Sequence, residues 1–223
     1  MDETSAGGSR RPAAPARRRP GRPGKLSADT ITGAALALLD REGAEALTMR
    51  RLGAELGVEA MSLYRHVASR EALLDALADR LAAEIERHDE AEADWLDALR
   101  ALAGDLRAVA RRHSAAFTLV GMRVLGTPTS LRPVEDALAA LRRGGFTPAR
   151  AISAYRLVMV YARGYALSEI AGFAVEVASA ERLPVVRSLG RRLASEPSEM
   201  GFRAGLETIL AGLRAEREAA EAQ

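Results

Sequence analysis

From residue 27 onward, apolar positions recur three and four apart, and the stripes they draw break at glycine, proline and short polar runs. Ile31, Ala34, Ala35, Leu38 and Leu39 form one stripe behind Ser27, a suitable N-cap, and it ends near Gly43. Thr48 caps a short helix through Leu56, and Gly57 supplies the C-terminal position where a left-handed backbone carries no Cβ penalty. A third helix is predicted over Glu59 to His66, with Val58, Leu63 and Val67 inward and Met61, Ser62, Tyr64, Arg65 and His66 outward. Ser69 caps a fourth helix, whose stripe at Leu73, Leu74, Leu77, Ala78, Leu81 and Ile85 runs far past the first three.

The stretch from His88 to Asp94 is acidic and lacks apolar periodicity, which marks a loop and a domain boundary. Beyond it, Trp95, Leu99, Leu102, Leu106 and Val109 predict a helix of several turns, followed by an irregular stretch from His113 through Thr129. A shorter helix is predicted from about Leu131 to Arg143, ended by Gly144 and Gly145. Thr147 and Pro148 then pair an N-cap with proline at the first helical position, and that helix has apolar residues to about Phe173. Its apolar residues spread beyond one stripe, so it must be buried on several sides. The last helix, about Ser198 to Glu218, holds Gly205 and Gly212 seven apart on one side, where a second helix backbone can approach. These two helices predict a four-helix homodimer interface, although both can instead close the core of one chain.

Ala, Leu, Arg and Glu dominate while β-branched and aromatic residues are scarce, so the fold class expected is all-α. The chain of 223 residues is 48% hydrophobic, enough for one large or two modest cores, and no run reaches the length of a membrane span. Without cysteine there are no disulfides, thiolate metal sites or cysteine nucleophiles. The charged start is no signal peptide, so a cytoplasmic location and no membrane partner are expected. The net charge of +2 is unevenly spread. Of 32 basic and 30 acidic residues, seven basic (Arg10, Arg11, Arg17, Arg18, Arg19, Arg22, Lys25) and two acidic lie in residues 1–25, leaving 25 and 28 beyond. That predicts a disordered basic arm attracted to polyanions.

The organisation expected is thus a basic arm over 1–25, a helix-turn-helix head over 26–70, a connecting helix over 71–87 and a larger helical domain over 88–223 for ligand binding and dimerisation. A helix lying in the DNA major groove needs short polar, apolar and forked basic groups facing outward together. The third helix has that mixture. Ala60 and Met61 can meet a thymine methyl, Ser62 can hydrogen-bond a base or a phosphate, and Arg65 can fork onto a guanine or a phosphate. Tyr64, His66, Arg50 and Arg70 suit phosphate oxygens, which fix register without reading sequence. Each also has a packing or solvation role available to it.

Over Leu47 to Leu77 the chain resembles the tetracycline repressor (TetR) family. Thr48, Arg50, Leu52, Leu56-Gly57-Val58, Leu63-Tyr64, His66-Val67 and Ala72-Leu73-Leu74 stand where that pattern expects them, with Gly53 in place of a usual alanine. Leu125-Gly126-Thr127-Pro128, Gly145-Phe146 and Phe202-Arg203-Ala204-Gly205-Leu206-Glu207 extend the resemblance into the second domain. It implies a homodimeric repressor, bound to a palindromic double-stranded DNA operator through residues that include Thr48, and released by a small-molecule effector. The family's drug-binding histidine falls on Glu86, its magnesium-ligating histidine on Val124, and a polar drug contact on Leu102. These departures argue against magnesium-tetracycline and for a more apolar effector, with no metal or cofactor. Its pocket is expected to be lined by Leu99, Leu102, Leu106, Phe117, Met122, Leu125, Met159 and Arg163.

An enzyme is a poor alternative. His66, His88 and His113 are the only histidines, no metal-ligand spacing links them, and there is no nucleophile elbow, phosphate loop or dinucleotide fingerprint. A constitutive DNA-binding regulator without an effector is the remaining alternative.

Overall fold

Helix caps written in the sequence set the start of most elements. The computed structural model describes residues 26–86, 94–172, 182–193 and 198–222. The basic arm, His88 with most of the acidic loop, and Phe173 lie outside the described residues. Helix α1 (Ala28–Glu42) starts where the Ser27 hydroxyl accepts from the Thr30 N–H and ends at Gly43, φ 83°. After a 3-10 turn at Ala44–Ala46, Thr48 caps α2 (Met49–Leu56) by accepting from the Arg51 N–H at 3.1 Å. Gly57 then takes the left-handed conformation at φ 68°, open to glycine without a steric penalty.

Helix α3 (Ala60–Leu63) is shorter than the eight residues predicted, and Tyr64 to His66 lie on the turn that follows. Both the His66 and Val67 N–H groups bond back to the Leu63 carbonyl at 2.9 Å, and burial of Leu63 and Val67 pulls that turn tight. Helix α4 (Arg70–Ala83) opens on Ser69, whose hydroxyl accepts from the Ala72 N–H. It ends before the 87 expected for the connecting helix. Glu84 and Ile85 close tight bonds onto the Leu81 and Ala82 carbonyls, while the Glu84 carboxylate is taken by His113 and Arg112.

The second domain holds α5 (Trp95–Arg112), α6 (Ser114–Val120), α7 (Pro128–Arg143), α8 (Pro148–Ala171), α9 (Pro184–Leu193) and α10 (Glu199–Glu221). Helix α6 occupies part of the stretch expected to be irregular, with Ala116, Phe117 and Val120 buried. Helix α7 starts three residues before Leu131, because Thr127 and Ser130 form a reciprocal capping box ahead of Pro128. Helix α9 was given no counterpart by the sequence pattern. No strand occurs among the described residues.

Helix α5 packs on α7 and α8, α8 on α10, α4 on α6 and α7, and α1 on α6. Leu99, Leu141, Val158 and Leu210 are fully enclosed in the resulting core. The buried Arg107 of α5 pairs with Glu169 of α8 at 2.6 Å and with Glu199 of α10, and its guanidinium lies 4.8 Å from the Phe202 ring centroid. Gly205 does not serve a second helix backbone, as the glycine pair had implied. A Cβ there would collide with the Tyr161 hydroxyl, which donates to the Phe202 carbonyl at 2.8 Å. Gly212 faces open space.

Candidate nucleic-acid interface and effector cavity

Helices α2 and α3 meet at close range because of Gly53. A Cβ on that residue would lie 2.7 Å from the Val58 carbonyl oxygen and 3.2 Å from the Ala60 nitrogen, so the start of α3 is seated on α2 backbone to backbone. The glycine therefore does more than loosen α2; it sets how deeply α3 sits. Ala60 is half-buried in this contact, whereas Met61 is 72% exposed and Ser62 half-exposed. Arg65 is exposed and donates to the Ser62 hydroxyl at 3.3 Å, which places the two expected base readers side by side. Tyr64, His66, Arg50, Arg70 and Thr48 are all exposed around them.

Ion pairing separates the arginines of the head into two groups. Arg51 is held by Glu42 at 2.5 Å and Glu55 at 3.0 Å, Arg41 by Glu55 at 3.0 Å, and Arg80 by Asp29 at 2.9 Å. The Arg51 hydrogen bond, with the positive charges of Arg51 and Arg41 behind it, holds the Glu42 carboxyl below its ordinary range. These groups fasten α1, α2 and α4 together. Arg50, Arg65 and Arg70 pair with no carboxylate among the described residues, so their donors remain available to phosphate or base.

Below the head, α4, α5, α6, α7 and α8 line a partly open cavity. Leu102, Leu106, Phe117, Leu125, Met159 and Arg163 line it, as the sequence led us to expect. Leu99 and Met122 do not. Leu99 lies in the core, a turn before Leu102 on the α5 stripe. Met122 is 66% exposed, because the chain leaves α6 at Gly121 and Arg123 turns back to bond Asp75 at 2.7 Å and Glu71 at 3.0 Å on α4. Lining residues not anticipated include Leu81 of α4, Ile85 just past its end, Val134 of α7 and Tyr155 of α8. Tyr155 was legible, since it stands four residues before Met159 and eight before Arg163 on one face.

Burial raises the Tyr155 hydroxyl above its ordinary pKa, against an opposing pull from the Arg163 charge. The cavity adjoins a shallower groove lined by Pro128, Thr129 and Arg132, which opens to the surface. Glu86 and Val124, where the family's drug and magnesium histidines fall, are both exposed and outside the lining. No cluster of three metal-ligating side chains occurs among the described residues, and no described helix is long and apolar enough to cross a membrane.

One residue ties the two regions together. His113, between α5 and α6, is nearly buried, with Nδ1 2.8 Å from Asp40 Oδ2 of α1 and Nε2 2.9 Å from Glu84 Oε2 at the end of α4. It therefore bridges the first helix of the head and the last turn of the helix that walls the cavity.

The chain is 36% identical over 160 residues to the HTH-type transcriptional repressor DrrR1 of Streptomyces coeruleorubidus, covering 69% of this chain and 58% of that protein. It is 32% identical over 205 residues to the class A tetracycline repressor protein from transposon 1721 of Escherichia coli, covering 86% and 93%. The crystal structure of the Streptomyces coelicolor TetR family protein ActR in complex with (S)-DNPA superposes with a TM-score of 0.75 at 29% identity, covering 87% of this chain and all of that one. Residues 31–77 match the profile of bacterial regulatory proteins of the tetR family, and residues 88–217 match the tetracyclin repressor-like C-terminal domain. On the strength of both matches, head and second domain alike, the chain belongs to the TetR family of transcriptional regulators.

Proposed function

We propose that the chain is a ligand-gated transcriptional repressor which binds a palindromic operator as a homodimer and leaves it when a small, largely apolar effector enters the cavity. The observation that carries this reading is the double duty of α4. It packs on α1 of the head, and its Ala78, Leu81 and Ala82 form a wall of the cavity. An effector that binds better to one placement of α4 shifts the population toward that placement, and the His113 bridge carries α1 with it. Two heads moved apart no longer match half-sites one helical turn apart.

The docking surface follows from the same geometry. Met61, Ser62 and Arg65 read base edges, with Ala60 behind them, while Thr48, Arg50, Tyr64, His66 and Arg70 hold phosphates. For the homodimer, support comes from an unpartnered face of α8, where Leu157 and Val160 are exposed and Gly164 has no atom packed on its Cβ position. Selection of bound fragments from random DNA tests the whole reading. A palindrome with half-sites about 10 base pairs apart is expected; recovery of a single half-site, or of no preferred sequence, would refute it.

A further inference from the structure

The described lining of the cavity is apolar apart from Arg123, Ser130, Tyr155 and Arg163, and these polar groups define the chemistry of its occupant. This deepens the effector reading above and rests on it. Among the described residues that line the cavity only Arg123 and Arg163 carry a charge, and no acidic side chain does. Arg123 is satisfied by Asp75 and Glu71. Arg163 has no hydrogen bond or ion pair among the described residues, and its Nε is buried without a partner. The Tyr155 hydroxyl, two helical turns away on the same face, is also without a hydrogen bond there and feels the Arg163 charge.

The buried Arg163 Nε–H has given up water without gaining an acceptor, and an anionic oxygen placed against it supplies a charge-assisted hydrogen bond. We infer that the effector is an organic anion: a ring-bearing, mostly apolar body that fills the space between Leu102, Leu106, Phe117 and Met159, with one carboxylate or similarly acidic oxygen group held by Arg163 and flanked by the Tyr155 hydroxyl. The acid sets orientation and specificity, and the apolar body supplies most of the buried area.

A matched pair of fluorescent probes separates the two parts. 8-Anilinonaphthalene-1-sulfonate and N-phenyl-1-naphthylamine share the same ring body, and only the first carries an acid group. Titrated into the full chain, the anion should bind at least about tenfold tighter than the neutral probe, the margin of one charge-assisted hydrogen bond, and each should displace the other. Arg163→Gln should remove that margin while leaving N-phenyl-1-naphthylamine within about twofold of its original affinity, which also shows the cavity intact. Arg163→Lys should restore part of the preference. Equal binding of both probes to the original protein, or equal weakening of both by Arg163→Gln, overturns the anion assignment and leaves the effector cavity standing. Failure of both probes to bind overturns the effector reading itself.

Discussion

Arg65 and Arg50 are both exposed on the head, and the proposed function gives them different work, a difference that is measurable. Arg65 lies beside Ser62 on the most outward part of the head, where a forked donor can reach a guanine edge. Arg50, at the start of α2 and paired with no carboxylate among the described residues, is assigned on the proposed reading to the sugar-phosphate backbone. Arg65→Ala should cost about 1–3 kcal/mol on the cognate operator and relax preference at one base position. Arg50→Ala should weaken all sequences alike and reduce the salt slope by about one. Gel-shift titrations at several salt concentrations distinguish these results; identical losses on cognate and random DNA would remove the division of roles. The outward set was legible because a helical face is fixed by periodicity. The role of Gly53 was not, since backbone contact between α2 and α3 leaves no hydrophobic signature. Nor was the exposure of Met122, which depends on Arg123 finding Glu71 and Asp75 about fifty residues away in sequence.

Among the elements, caps and long stripes transferred into structure almost unchanged, as α1, α2, α5 and α10 show. The short helices did not. Helix α6 has seven residues, too few for a periodic stripe, and it is held by Ala116, Phe117 and Val120 packing beneath α1 and α4. Helix α9 has a signal of Pro184 followed by Val185, Val186 and Leu189, but Val185 and Leu189 remain exposed and the run is flanked by arginines. The junction of α1, α4 and α6 was equally hidden, because a lone histidine between two helices gives no hint that carboxylates from Asp40 and Glu84 converge on it. Replacing His113 by alanine leaves those carboxylates facing each other without a shared donor. Loss of these hydrogen bonds should lower stability by about 1–3 kcal/mol. It should also speed amide exchange in α1 well before α8 and α10, as hydrogen-exchange mass spectrometry can resolve. Uniform acceleration across all helices would show that the bridge is not a local fastening between head and cavity.

At the scale of the whole molecule, the proposed homodimer is tested at the face of α8 that leaves Leu157 and Val160 exposed: Val160→Glu should yield a monomer by light scattering that no longer retains a two-half-site operator. The second domain is also bound together by charge, and this gives its stability a definite pH dependence. Hydrogen bonds from Arg107 and Arg100 hold the carboxyls of Glu199 and Glu207 below the ordinary value of 4.5. Both arginines are pushed further above their already high range, so they stay charged throughout. The unfolded chain therefore takes up protons at these glutamates at a higher pH than the folded one. Their contribution is fully present above the ordinary carboxyl range and is lost as pH falls through 4.5 and below. Because the Glu199 and Glu207 side chains are 61% and 51% exposed, salt should shrink the effect. Urea midpoints measured between pH 7 and pH 3.5 should fall most steeply at the acid end, and Arg100→Gln should flatten part of that fall by releasing Glu207. Arg107→Gln should do so more strongly and lower the midpoint at pH 7 as well, by about 3 kcal/mol of stability, because Glu169 is then left buried without its partner. An acid limb with the same slope in Arg100→Gln as in the original chain would mean that other carboxylates govern it.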